Sequence, residues 1–120
     1  MKEIKNKIIM NEDRLFPKYT SKIIQEREKL SPENLDAWRN FSKTVFKEGK
    51  LSEETKQLIA IAVAHVTQCP YCIRSHTKQA LKKGVSKEEI MEAVWIAAEM
   101  RAGAAVAHSA IAIDEMNEDG

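Results

Sequence analysis

Apolar positions recur at three- and four-residue intervals along most of the chain, the spacing that gathers side chains on one face of an α-helix. A first helix is predicted over residues 16–30, with Tyr19, Ile23 and Ile24 on its apolar side. The next start is sharper. Ser31 suits an N-cap, Pro32 the first helical position and Glu33 the positive end of the helix. Leu35, Trp38, Phe41, Val45 and Phe46 then form a stripe that stops at Gly49. Ser52 caps a third helix whose first turn holds Glu53 and Glu54. Its body, Leu58 to Ala64, is apolar nearly all round, which predicts a buried central helix. A fourth helix opens at Cys69-Pro70 and closes at Gly84. The fifth begins at a capping box, Ser86 with Glu89, stapled by Val85 and Ile90. Its stripe is Ile90, Ala93, Val94, Ala97 and Ala98; Gly103 predicts a break, with a last Ala-rich helix to about Met116. Residues 1–14 are charged and weakly patterned and are expected to form a loosely ordered arm, with residues 15–120 as one helical domain. The fold class is all-α, a single-domain bundle of five to six helices.

Composition narrows the function classes. Four Gly and three Pro supply too few turns for an all-β chain. Lys+Arg 19 against Asp+Glu 18 leaves a net charge of +1, which excludes the strong positive field of a general nucleic-acid or membrane-surface binder. The longest apolar run, Leu58 to Ala64, is far short of the ~18 residues of a spanning segment, and no secretory leader is recognisable. The expectation is a cytoplasmic protein without nucleic-acid or membrane partners. Thiols stay reduced in that compartment, so Cys69 and Cys72 point to chemistry rather than to a structural staple.

The two cysteines sit in Cys69-Pro70-Tyr71-Cys72-Ile73-Arg74-Ser75-His76. On a helix, Cys69, Cys72, Ile73, His76 and Ala80 share one side, while Arg74, Lys78 and Lys82 lie opposite. Cys69 falls at the helix N-terminus, where unpaired N–H groups and the macrodipole favour a thiolate. The two-residue spacer lets both sulfurs close a disulfide within one turn. His76, four residues after Cys72, is spaced to take or return its proton. Two blander readings compete. The pair could be small buried apolar residues, or a zinc set of Cys69, Cys72, His76 and His65. Structural zinc sites usually tie together ligand pairs from separate segments, however, so no metal is assigned.

Residues 52–84, with the capped helix and the Ala/Gly-rich end after them, resemble the carboxymuconolactone decarboxylase family, in its AhpD-like alkylhydroperoxidase branch. The family motif is a Glu, eleven residues, C-x-x-C, three residues and a His. Cys69, Cys72 and His76 match it. Gln57 stands at the Glu position, and Tyr71 where the best-known members carry a His. The resemblance implies that Cys72 attacks peroxide to give a sulfenic acid and Cys69 resolves it as a disulfide. It also implies a Glu assisting the His in proton relay. An amide can orient the His but cannot take its proton. Glu54 or His65, eleven residues apart on one side of the third helix, could supply an acceptor. Their alternative roles are a first-turn dipole partner and a packed core histidine. His108 reads as interfacial or as a satisfied polar residue; Trp38, Trp95 and the methionines read as core or oligomer surface.

The helix-terminus argument favours Cys69 as the more acidic thiol, but His76 is better spaced to serve Cys72, so first attack is expected from Cys72, as the resemblance implies. The expected function is a thiol-dependent oxidoreductase, through peroxide reduction or dithiol–disulfide exchange. Other readings are a cofactor-free decarboxylase or lactone-processing enzyme of the wider family, and a non-catalytic oligomeric binding protein. No phosphate-cradling glycine loop occurs, so no cofactor is expected and the reductant would be an external dithiol. The oxidant would be a peroxide or a small disulfide. One small core has to cover an apolar third helix and a small-residue last helix, which with the resemblance implies a homo-oligomer, a trimer or hexamer.

Overall fold

The computed structural model describes residues 15–118, and among them it has five helices and no strand. These are α1 (Ser21–Leu30), α2 (Pro32–Phe46), α3 (Glu53–Thr67), α4 (Pro70–Lys82) and α5 (Lys87–Met116). The arm expected at residues 1–14 lies outside the described residues. Packing divides the chain into two compact units between Val45 and Phe46, the last two residues of α2.

In the first unit α1 starts at Ser21, not at residue 16. Pro17 disfavours helical backbone at the residue before it. Thr20, extended at φ −87° and ψ 161°, caps the helix by accepting from the Ile23 N–H at 3.3 Å. Tyr19 therefore precedes the helix, and the Arg27 guanidinium lies 4.9 Å over its ring. α2 begins at Pro32, and Leu35 N–H donates to the Ser31 carbonyl at 3.0 Å. Neither helix buries a residue fully. Trp38, 61% exposed, and Phe41 contact each other at 5.9 Å between ring centroids. The α2 stripe is thus a real helix face, but an exposed one.

The core belongs to the second unit, where α3 packs against both α4 and α5. Ser52 Oγ accepts from the Thr55 N–H at 3.1 Å and opens α3. That helix ends at Gln68, whose left-handed backbone (φ 58°, ψ 50°) turns the chain at once into Cys69, the N-cap of α4. Gly84, at φ 87°, makes the return to α5. Ile61, Ala80, Val85 and Ile90 form the buried cluster, flanked by Leu58 and Val94, so the staple residues meet as the sequence predicts. The capping box closes in both directions at 3.0 Å.

Two expectations need correction. α3 is central but not wrapped: it buries Gln57, Ile61 and Ala64 on one stripe, while Ile59, Val66 and Val63 (53%) are exposed. Two neighbouring helices can cover only part of a cylinder. The predicted break at Gly103 is also absent, for α5 runs unbroken over 30 residues. One glycine costs a helix only about 1 kcal/mol, which the continuing hydrogen-bond ladder absorbs. A Cβ there would meet nothing nearer than the Glu99 carboxylate at 3.4 Å, so no packed neighbour demands a bend. Continuity makes α5 long and apolar enough to cross a bilayer by length and composition, which the short apolar runs do not suggest. Its N-terminal part is nonetheless a core element, burying Ile90, Ala93 and Ala97.

Candidate active site

The site is built where α3 hands over to α4. Cys69 takes the place usually held by Ser, Thr or Asp: its Sγ accepts the Cys72 backbone N–H at 3.3 Å, with Pro70 in the first turn. Both thiols are free and half-buried. Hydrogen bonds from the Cys72 thiol, and then from the backbone N–H groups of Cys72 and Tyr71, hold Cys69 below the ordinary thiol pKa. Cys72 is pushed up, first by the bond its thiol gives to Cys69, then by burial and the charge on Cys69. The two shifts run in opposite directions, so of the pair Cys69 is the more readily ionised thiol.

One turn further, His76 is held on two sides. Its Nδ1–H donates to Gln57 Oε1 at 2.8 Å, and the Phe46 ring stacks on the imidazole at 4.9 Å and 24°. Burial lowers its pKa, which favours the neutral ring. Gln57 is 2% exposed, a buried amide reaching from α3; its Nε2 donates to Gln79 Oε1 at 3.3 Å, and Gln79 Nε2 donates to Ser75 Oγ at 2.9 Å. Arg74, Lys78 and Lys82 occupy the exposed side of α4.

The structure thus joins Gln57 to His76 and Cys69 to Cys72. The hydrogen bond of His76 goes to Gln57 rather than to a sulfur. His65 is not brought into this set: its Nδ1 donates to the Ile61 carbonyl in its own helix at 2.8 Å. Glu54 is exposed, and its neighbour Glu53 pairs with Lys83 at 2.5 Å. His108 is exposed and donates to the Ala104 carbonyl at 2.7 Å; Trp38 and Trp95 are surface residues, not core. Among the described residues no three His, Cys, Asp or Glu side chains converge as metal ligands. Phe46 and Gln79 are the site residues that sequence reasoning misses. Phe46 reads as one more position of the α2 stripe, and Gln79 carries no signal at all.

With this geometry in place, comparison with known proteins is informative. The model of the carboxymuconolactone decarboxylase family matches residues 32–115. The chain belongs to this family. It is 58% identical over 83 residues to an uncharacterised cox-locus protein of Paracoccus denitrificans, across 69% of this chain and 75% of that one. A crystal structure from Methanobacterium thermoautotrophicum has the same fold, with a TM-score of 0.65 and 36% identity, over 68% of this chain and 94% of the other. The alkyl hydroperoxide reductase AhpD of Anaeromyxobacter is 42% identical over 48 residues, which span 40% of this chain and 26% of that enzyme. Family membership and the all-α fold therefore stand on both sequence and structure.

Proposed function

We propose that this family member is a thiol oxidoreductase whose Cys69 and Cys72 cycle between dithiol and disulfide. The observation that carries the reading is the N-cap role of Cys69, whose sulfur accepts the Cys72 N–H at 3.3 Å and whose thiol is the more acidic of the two. An acidified thiol one turn from a second thiol is the arrangement that thiol–disulfide chemistry uses. The similarity to AhpD supports the same class.

In the oxidative half, the Cys69 thiolate attacks a peroxide oxygen and the O–O bond breaks. Cys69 becomes a sulfenic acid, and the alkoxide leaves as alcohol after taking a proton. Cys72 then gives its proton to His76 and attacks the Cys69 sulfur, forming the S–S bond and expelling hydroxide, which leaves as water with that proton. Dithiol plus peroxide thus becomes disulfide plus alcohol plus water. With a small disulfide as oxidant, the first product is a mixed disulfide and the leaving group a thiol. An external dithiol returns the electrons. The family likeness and the spacing of His76 assign first attack to Cys72; the acidity order at the helix start favours Cys69, and the proposal follows it.

The reading includes a homo-oligomer, working where thiols are kept reduced, as in a cytoplasm. Ala62, Val63, Val66, Ile96, Met100 and Ala104 line an apolar groove of about 400 Å³ between α3 and α5. Val63, Ile96 and Met100 are each more than half exposed there, and such adjoining apolar side chains suit a covering partner. The deciding experiment treats the reduced protein with one equivalent of peroxide. Each chain should lose two hydrogens by intact mass and both titratable thiols, and a dithiol should restore them. Thiols that stay titratable after peroxide and after a small disulfide would sink the proposal.

A further inference from the structure

Which nitrogen of His76 can act as a base depends on how the Gln57 amide is turned. An amide oxygen only accepts and an amide nitrogen only donates. With Gln57 Oε1 on His76 Nδ1 at 2.8 Å, that nitrogen must carry the hydrogen, which leaves Nε2 as the basic nitrogen of the neutral ring. Rotating the amide by half a turn would present its NH₂ to Nδ1 and demand the opposite tautomer. Gln57 is buried, so bulk water cannot arbitrate between the two. The choice falls to the group on its other end.

That group is Gln79. Its Oε1 accepts the Gln57 Nε2–H at 3.3 Å, and its own Nε2 donates to Ser75 Oγ at 2.9 Å, one turn back on α4. A serine hydroxyl can donate or accept, and with Gln79 Nε2 on it the Ser75 oxygen accepts. Every bond in the series runs the same way: His76 to Gln57, Gln57 to Gln79, Gln79 to Ser75. Turning Gln57 over would set two carbonyl oxygens against each other. Phe46 stacks on the imidazole face at 4.9 Å and restricts its rotation.

We propose that Gln79 is a positioning residue: acting through Gln57, it holds His76 in the Nδ1–H tautomer with Nε2 as the base. All three supporting side chains are uncharged at neutral pH, so the series sets the direction of proton flow at His76 without accepting the proton itself. Its use in catalysis rests on the thiol oxidoreductase reading, where Nε2 receives the Cys72 proton. The tautomer does not rest on that reading.

The test exchanges donor for acceptor at an exposed position. Gln79→Glu offers only oxygens to Gln57 and keeps the order of the bonds. Gln79→Lys offers only N–H donors, so Gln57 must turn its oxygen toward Lys and its NH₂ toward His76. Imidazole ¹⁵N shifts of the reduced protein report the tautomer directly. Wild type and Gln79→Glu should show the proton on Nδ1, and Gln79→Lys on Nε2. Disulfide closure should slow about tenfold in Gln79→Lys and recover in Gln79→Glu, because the base has moved to the wrong nitrogen. Gln79→Arg, also a pure donor, repeats the test if the lysine variant folds poorly. A proton that stays on Nδ1 in both donor variants overturns the inference. If the tautomer switches but no variant or wild type forms a disulfide, Gln79 keeps its role and the thiol reading falls.

Discussion

Replacing Gln57 with leucine should separate stability from activity. The amide is 2% exposed, accepts from His76 Nδ1 at 2.8 Å and donates to Gln79 Oε1 at 3.3 Å. Leucine is near it in size, so no large cavity opens. Gln79 is exposed and can bond water instead, at little cost. His76 is half-buried, and losing the partner of its Nδ1–H costs about 1–2 kcal/mol. Burying a leucine in place of an amide returns about 1–2 kcal/mol. The net change in folding stability should therefore be within about 1 kcal/mol of zero. Catalysis has no such offset. With nothing on Nδ1, the imidazole is free to adopt the other tautomer and to pivot against Phe46. The rate of disulfide closure should fall about 10–100-fold, part of what a positioned general base contributes. Urea denaturation gives the first quantity, and stopped-flow oxidation followed by thiol quenching gives the second. A loss of more than about 3 kcal/mol would show that Gln57 is chiefly a structural residue. A closure rate equal to wild type in a folded variant would refute the reasoning about His76.

Two further outcomes follow from the same geometry. Gln57→Glu places a carboxylate on the imidazole N–H, so the His76 pKa should rise against the lowering that burial imposes. Peroxide turnover should rise with it, because a carboxylate can share the proton; an unshifted histidine titration or an unchanged rate would count against the relay. The lowered pKa of Cys69 and the raised pKa of Cys72 fix an order of ionisation: as pH rises, Cys69 becomes thiolate first. Iodoacetamide labelling mapped by mass spectrometry, run from pH 5 to 9, should modify Cys69 at lower pH than Cys72 and about tenfold faster near neutrality, where the more abundant thiolate is also somewhat less nucleophilic. Labelling of Cys72 first would return the attacking role to the position that the family likeness and the His76 spacing suggest.

The apolar groove between α3 and α5 offers a check on assembly that does not touch the thiols. Val63→Lys puts a charge into it. If that face is covered by a second copy, light scattering should show a smaller species with unchanged Cys69 labelling. A monomer of 13.6 kDa already in wild type would remove the assembly from the proposal and leave the dithiol chemistry standing.

Much of the helix architecture is legible in the chain because helix ends are local events. Ser52 with Thr55, Ser86 with Glu89, and Cys69 with Cys72 each settle a start through bonds spanning three residues, and Gly84 settles the turn between α4 and α5. Such contacts form whatever the rest of the protein does, so the residues specify them directly. The cysteine and histidine spacing is legible for the same reason, since one helix fixes which side each occupies. The start of α1 is a partial exception: a local cap at Thr20 outweighed an apolar pattern that extends back to Phe16.

What covers an apolar side chain is a different kind of question. Val63, Trp38 and Trp95 carry the same local pattern as Ile61 and Ile90, yet the first three are exposed and the last two are core. Periodicity assigns a face to a helix; only the number and placement of neighbouring helices assign that face to core or surface. Gly103 shows the same division, since its cost is set by the residue while the outcome is set by the ladder around it. The site shows it most clearly. The sequence by itself determined the dithiol, its place at a helix start and the histidine one turn on. Tertiary structure decided that Gln57 of α3 and Phe46 at the end of α2 converge on that histidine, and that Gln57 meets Gln79 of α4. Their separations of 19 to 30 residues from His76, for Gln57 and Phe46, have no period to read, because they are set by the turns at Gln68 and by packing rather than by any helix repeat.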